Sequence, residues 1–359
     1  MTTTATRLNV GVIGAGFVAT SVHIPFLKGL ETANVVAVAD SVPGRASAAA
    51  SRYAIPLHTS DYRTLLANED IQVIDICTPP QSHAQIAIEA VGAGKDVILE
   101  KPLAMNLREF DSISGALGRA TDSHIGLVLN LRYMPLVHSV VQMLHSGRLG
   151  EVRGASALIR TAAPAVDWFT DDVLSRYGVL YDYLPHILDV VMWALQATPI
   201  SVRCAASSSG SRGYYLIIEM RSPLTGVCSL LVDVAWTSAT SIRSLQFWGT
   251  ERDLFVDLQD QFSYLGRGHL TPIKRGEEFA RRMAALAKRT AGGRFSIKYG
   301  AMVYHRDLLS DFLAAFAARR CPRVSLAEGF HHVAVIDAAV RSHTEDRAVA
   351  VSAGPLVLR

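Results

Sequence analysis

The chain has 359 residues, half of them apolar, a formal charge of +3 and no uninterrupted apolar run of transmembrane length, which leaves room for two domains, excludes a simple membrane-spanning helix and predicts a soluble protein. The small positive excess is scattered except between Lys274 and Arg294, so nucleic acid is not expected as a partner. Cys77, Cys204, Cys228 and Cys321 stand far apart with no CxxC pair, which suits reduced thiols in a cytoplasm better than a disulfide frame or a zinc site.

The N-terminal MTTTATR is polar and lacks the apolar core of an export signal, so a cytoplasmic location is expected. The run LNVGVIG then reads as a buried parallel strand, and GVIGAGFVAT continues it into a turn with Gly14, Gly16 and Ala19 at the small-residue positions. Gly14 permits the tight turn, Gly16 allows a dinucleotide pyrophosphate to approach the backbone, and Ala19 keeps the following helix close to the strand. Phe17 and Val18 are counted with the cofactor contacts of this turn, and Val18, Val22 and Phe26 are expected to face inward from the helix. The second apolar run, VVAVAD, ends in Asp40, 24 residues beyond Gly16 and close to the usual interval of about 20. Asp40 is placed to accept hydrogen bonds from the adenosine ribose, which favours NAD over NADP, with Ser41 and Arg45 nearby. Its alternative is a solvated turn residue ahead of Pro43 and Gly44.

Three more strands follow in QVIDICT, DVILE and HIGLVLN, separated by helical stretches such as QSHAQIAIEAVGAG. Strands alternating with helices predict an α/β fold with a doubly wound parallel sheet of the Rossmann type. In CTPPQSHAQIA, Thr78 and Pro79 are candidates to line the dinucleotide groove. His83 either contacts it or is a first-turn helix residue. KDVILEKPLAMN sets Glu100, Lys101 and Pro102 beyond the carboxyl end of a strand, the edge where open α/β sheets bind ligands. Pro102 restricts Lys101 and aims it. The alternative is an exposed loop lysine paired with Glu100. LNLRYMP supplies Asn130, Arg132 and Tyr133 as substrate candidates, with Arg132 either binding substrate or pinning the two halves together.

From about residue 150 the strands lengthen: EVRGASALIR, ISVRCAAS, GYYLIIEMRS, TGVCSLLVDVAW and SIRSLQFWGT predict an open, mostly antiparallel sheet. Helices are expected near 182–195, 277–290, 300–319 and 326–343. YGVLYDYLPHILDVVMW puts Asp182 and His186 at helical spacing, on one face if the helix covers both. Because proline is tolerated only in a first turn, Asp182 is expected at the N-cap with His186 just inside, while Asp189 reads as structural. Capping and a satisfied helix histidine are the plain alternatives for the pair. His331 and His332 are adjacent and splay on a helix, and HExxH is absent, so no metal site is expected.

Taken together, these motifs, with FWGTERDL and CPRVSLAEGFHHVAVIDAAVRS near the end, resemble the Gfo/Idh/MocA oxidoreductase family over nearly the whole chain. The resemblance implies a Rossmann domain over 1–128 and a substrate-binding and oligomerisation α/β domain over 129–359, assembled as a homodimer or homotetramer. It implies that the lysine of the EKP motif and the aspartate and histidine of a D-x-x-x-H segment act at the substrate, and these match Lys101, Asp182 and His186. Two departures bear on the substrate: Arg176, Tyr177 and a single Gly178 stand where many members have paired glycines, and the basic stretch between Gln261 and Lys298 is longer than in the simplest members.

The activity so implied is NAD-dependent hydride transfer at a secondary alcohol or ketone of a sugar, nucleotide sugar or cyclitol. His186 is the expected base, Lys101 the group that stabilises alkoxide charge, and Asp182 the support. The alternatives within the resemblance are a glycoside-cleaving enzyme with internally recycled NAD and a non-catalytic dinucleotide-sensing regulator.

Overall fold

The computed structural model describes residues 7–120, 122–164, 172–207, 212–237, 241–266 and 300–354. The helix predicted at 277–290 and the basic stretch from Lys274 to Arg294 lie outside the described residues. Two compact units emerge from the backbone contacts: Met1–Asn130 with Tyr304–Val333 and Gly354–Arg359, and Leu131–Val303 with Ala334–Ala353.

In the first unit, β1 (Leu8–Ile13), β2 (Ala33–Ala39), β3 (Leu57–Thr59), β4 (Val73–Ile76), β5 (Asp96–Leu99) and β6 (Ile125–Leu127) form one parallel sheet. Its order is β3-β2-β1-β4-β5-β6, so the chain reverses direction across the sheet between β1 and β4. That switch point is where loops diverge and leave a crevice at the carboxyl ends of the strands. Consecutive residues such as Val73, Ile74, Val97 and Ile98 are fully buried, as they must be in a parallel sheet covered on both faces. The edge strand β3 carries no apolar run that would mark it in the sequence: Leu57 and His58 are exposed and Thr59 is half-buried.

The helical segment after β1 departs from expectation. Ala19–His23 forms a π-turn that leads into α1 (Ile24–Lys28). The wide turn shifts the 3.6-residue periodicity, and Pro25 cannot donate to the regular ladder here. The inward residues are therefore Ala19, Val22, His23, Ile24 and Leu27, while Val18 and Phe26 are only half-buried. Four more helices complete the N-terminal part of this unit: α2 (Arg45–Tyr53), α3 (Arg63–Leu66), α4 (His83–Gly92) and α5 (Leu107–Arg119).

The second unit contains α6 (Pro135–His145), α7 (Asp172–Leu195) and an eight-stranded sheet. Its strands are β7 (Val152–Arg160), β8 (Thr198–Ala206), β9 (Gly213–Ser222), β10 (Gly226–Ala235), β11 (Ile242–Gly249), β12 (Asp253–Asp257), β13 (Phe262–Leu265) and β14 (Val349–Ala350). The order is β13-β12-β11-β7-β10-β9-β8-β14. Every neighbouring pair is antiparallel except β10 with β7. Burial alternates along β9: Tyr214, Leu216, Ile218 and Met220 are buried, whereas Tyr215 and Ile217 are exposed. Such alternation marks a sheet with one face on a core.

Asp182 is not an N-cap. The helix α7 begins ten residues earlier, at Asp172, and carries Pro185 in its interior. An interior proline costs about 3 kcal/mol, but Leu180, Leu184, Ile187, Leu188 and Val191 are all almost completely buried. At about 1.5–3 kcal/mol for each such side chain, their burial outweighs the lost bond. Toward the C-terminus lie α8 (His305–Ala317) and α9 (Leu326–Glu345). No helix among the described residues is long and apolar enough to cross a membrane.

Candidate active site

The turn after β1 is built around Gly14, whose φ is +93°. A Cβ there would lie 2.6 Å from the Cys77 carbonyl oxygen at the end of β4, so the chain itself demands glycine. At Gly16, by contrast, no protein atom lies within 4 Å of the Cβ position. Nothing in the fold requires that glycine, and its bare backbone leaves space beside a helix start, where free N–H groups suit a phosphate. Asp40 reaches back over this turn: its Oδ2 accepts a hydrogen bond from the Ala15 N–H at 2.7 Å, and its Oδ1 accepts one from the Val42 N–H at 2.8 Å. It is thus a tied residue rather than a solvated one. Phe17 is 67% exposed beside the turn, Val18 is half-buried, and Ser41 and Arg45 are exposed where α2 begins.

Across the switch point, Thr78 is half-buried and Pro79 exposed. His83 does not face a groove. It is fully buried, with Nδ1 2.8 Å from the Pro102 carbonyl and Nε2 2.9 Å from the Thr78 carbonyl. Burial pushes its pKa below the ordinary histidine value even though both carbonyls favour the proton. His83 therefore sits at the start of α4 between the Thr78 and Pro102 carbonyls, its one N–H donating to one of them, a setting that fits the first-turn helix alternative.

Glu100 also points inward rather than toward a cofactor or a solvated lysine. Its Oε2 accepts the Lys101 backbone N–H at 3.0 Å, and its Oε1 lies 3.0 Å from His23 Nε2. The other nitrogen of His23 is 3.0 Å from both carboxylate oxygens of Asp75. His305 Nε2 stands 3.9 Å from Glu100 Oε1, and the Cys77 thiol donates to Asp75 at 3.6 Å. His23 and Asp75 are wholly buried, and Glu100 is 8% exposed. Burial is the largest influence and opposes the charge on His23, but the charges and hydrogen bonds of Asp75 and Cys77 together outweigh it and raise its pKa well above the ordinary value. Burial likewise disfavours the Glu100 carboxylate, yet the hydrogen bond and charge of His23, with His305 and Lys101, hold it down at about 2. Burial, with Asp75, pushes the Cys77 thiol up to about 12. The result is an imidazolium donating to two carboxylates, directly behind half-buried Lys101 and its cis bond to Pro102.

In the second unit, Asp182 and His186 lie one turn apart on α7 and so share a face. They and Tyr183 are half-buried on a stretch of helix that is otherwise buried almost throughout. Tyr183 carries no signal in the sequence: its hydroxyl accepts from Thr161, just past the end of β7, at 3.1 Å and from Arg243 of β11 at 3.3 Å, partners far from it in the chain. Arg132, expected at substrate or as a pin between halves, forms an ion pair with Asp189 within the unit, at 2.7 Å and 2.8 Å. Asn130 is buried and Tyr133 half-buried in the single 3-10 turn that holds both.

A parallel sheet with a glycine turn at its switch point, an acid tied over that turn and a lysine at the same strand edge defines a Rossmann-type protein with an open-sheet second unit. The chain belongs to the Gfo/Idh/MocA oxidoreductase family. Residues 8–122 match the model described as "Oxidoreductase family, NAD-binding Rossmann fold", and residues 137–251 match that of the GFO/IDH/MocA C-terminal domain. Among curated relatives, levoglucosan dehydrogenase of Pseudarthrobacter phenanthrenivorans is 31% identical over 52% of this chain and 51% of its own length. Inositol 2-dehydrogenase of Rhizobium meliloti is 30% identical over 55% of this chain and 58% of its own. The matched region therefore spans little more than half of each relative. A solved levoglucosan dehydrogenase in complex with NADH shares the fold, with a TM-score of 0.76 at 21% identity over 96% of this chain and 99% of that one.

Proposed function

We propose that this protein is an NAD-dependent dehydrogenase or reductase that interconverts a secondary alcohol and a ketone on a sugar, nucleotide sugar or cyclitol. The observation that carries the reading is the placement of Lys101: it leaves the carboxyl end of β5 on the same sheet edge as the Gly14 turn and Asp40. The dehydrogenase names of the relatives support the substrate class.

The residues present fit a dinucleotide. Gly16 offers bare backbone with open space beside it, and the Asp40 carboxylate at the end of β2 suits ribose hydroxyls while repelling a 2′-phosphate. When bound, NAD supplies the hydride acceptor or donor. Lys101 donates a hydrogen bond to the reacting oxygen and stabilises its developing negative charge. His186 takes the hydroxyl proton, a task suited to an imidazole near neutral pH, and Asp182 one turn away supports it. Exposed apolar residues on β9 and β10, namely Tyr215, Ile217, Val227 and Leu231, support a homodimer or homotetramer that covers this face. A cytoplasmic location belongs to the same reading.

The test is absorbance near 340 nm with NAD and a panel of sugars, nucleotide sugars and inositols. NADH formation with one class, reduced at least a hundredfold by Lys101→Ala with NAD affinity retained, is the expected result. Full turnover in Lys101→Ala would remove the assigned role, and no reduction across the panel would remove the dehydrogenase reading.

A further inference from the structure

We propose that Glu100, charge-balanced by His23, is a positioning residue for Lys101: its carboxylate fixes the lysine backbone and keeps the side-chain amine protonated. This rests on the reading of Lys101 as the oxygen-stabilising group.

The geometry is that of a three-part clamp. On one side of Lys101, the backbone N–H is held by Glu100 Oε2 at 3.0 Å. On the other, the Pro102 carbonyl is held by His83 Nδ1 at 2.8 Å. Behind the clamp, His23 bonds Glu100 Oε1 and both oxygens of Asp75. The titratable groups around Glu100 are His23 from the π-turn, Lys101 beside it, His305 at the start of α8, His83 at the start of α4 and Cys77 at the exit of β4. Those facing His23 are Asp75 and Cys77 from β4 and its exit, with the His305 ring centroid 5.6 Å away.

A buried carboxylate needs a compensating charge to remain ionised, and His23 provides it. An ionised Glu100 in turn favours the charged form of the lysine next to it. A lysine that must donate to an alkoxide is useless once it loses its proton, so the buried pair extends its working range to higher pH. The cluster also explains why a charged histidine is tolerated in a wholly buried position: His23 lies between the carboxylates of Asp75 and Glu100.

The discriminating experiment compares wild type with Glu100→Gln, Glu100→Asp and Asp96→Asn in the full chain. Asp96 is a buried acid at the opposite end of β5, paired with His124 and Arg319 rather than with the clamp, so its variant reports the cost of losing a buried ion pair on the same strand. Two readouts are taken. The first is the pH profile of kcat and KM for the sugar or cyclitol found above. The second needs no activity: competitive acylation of the Lys101 amine across pH, followed by mass spectrometry of the peptide that contains it.

In Glu100→Gln the alkaline limb of kcat and the midpoint of Lys101 labelling both move down by about one pH unit, which is a tenfold change in proton affinity. Glu100→Asp, which keeps the charge, restores most of the shift, and Asp96→Asn lowers Tm without moving either midpoint. Unchanged labelling in Glu100→Gln, or an equal shift in Asp96→Asn, overturns the proposal. Should Glu100→Gln fail to fold, Glu100→Asp decides: a labelling midpoint at the wild-type value with slower turnover supports it, and a midpoint displaced as far as one pH unit overturns it. A labelling shift without turnover of any panel compound would sink the dehydrogenase reading alone and leave the role of Glu100 standing.

Discussion

The Asp40 carboxylate and the Ala15 backbone N–H are joined by a 2.7 Å hydrogen bond, so the acid at the end of the second strand also braces the glycine turn of the first. Hydrogen bonds to an ionised group contribute about 1.5–3 kcal/mol. Asp40→Ala is therefore expected to lower stability by roughly that amount and to raise the dissociation constant for NAD at least tenfold, about 1.4 kcal/mol. Discrimination against NADP should shrink in parallel. Fluorescence titration with both dinucleotides, together with urea denaturation, checks this; unaltered NAD affinity would break the link between brace and cofactor.

The two glycines of the turn should separate cleanly. Gly14→Ala puts a Cβ against the Cys77 carbonyl and forces an L-residue to φ +93°, so the variant should lose about 2 kcal/mol or more and several degrees of Tm. Gly16→Ala meets no protein atom and should leave Tm unchanged while weakening NAD binding. Thermal melts with and without NAD distinguish the two, and a matching loss of Tm in both variants would show that the chain, not a ligand, requires Gly16.

Arg132 and Asp189 form an ion pair in which both side chains are nearly buried, and the guanidinium also lies 5.6 Å from the Trp193 ring centroid. Breaking such a pair from one side typically costs about 3–5 kcal/mol. Arg132→Ala should accordingly act mainly through stability, with KM for the substrate little changed in the fraction that stays folded. A KM increase at unchanged Tm would return Arg132 to the substrate.

The buried cluster makes stability pH-dependent at both ends. Glu100 has a folded pKa of about 2 against an ordinary 4.5. Its contribution is present in full above 4.5 and is lost as the pH falls toward about 2. His23 is shifted the other way, well above 6.5, so its contribution is complete below 6.5 and disappears as the pH rises through the raised value. Urea denaturation of wild type and Glu100→Gln at stepped pH should show curves that diverge above pH 4.5 and converge on acidification. A constant gap across the acid range would contradict an ionised Glu100 in the fold.

Much of the first sheet was legible because its signals are local. Continuous apolar runs such as VVAVA and DVIL report strands covered on both faces, and the spacing of Gly14, Gly16 and Asp40 encodes a turn and the strand beyond it. The longer strands of the second half, GYYLIIEMRS among them, similarly announced an open, mostly antiparallel sheet. Where periodicity misled, tertiary burial had overridden a local rule: Pro185 sits inside α7 because its neighbours are buried, and the π-turn at Ala19–His23 breaks the 3.6-residue spacing so that Phe26 is only half-buried.

Sequence alone thus determined the doubly wound sheet, the glycine turn with its acid, and the position of Lys101 at a strand end, since each depends on residues a few places apart or on a repeating pattern. Only the tertiary structure decided what surrounds them. His23 meets Asp75 across 52 positions and Glu100 across 77, and Arg132 meets Asp189 across 57. Such pairings follow from strand order and helix packing, which bring distant side chains within hydrogen-bond reach in a low-dielectric interior where their charges set one another's protonation.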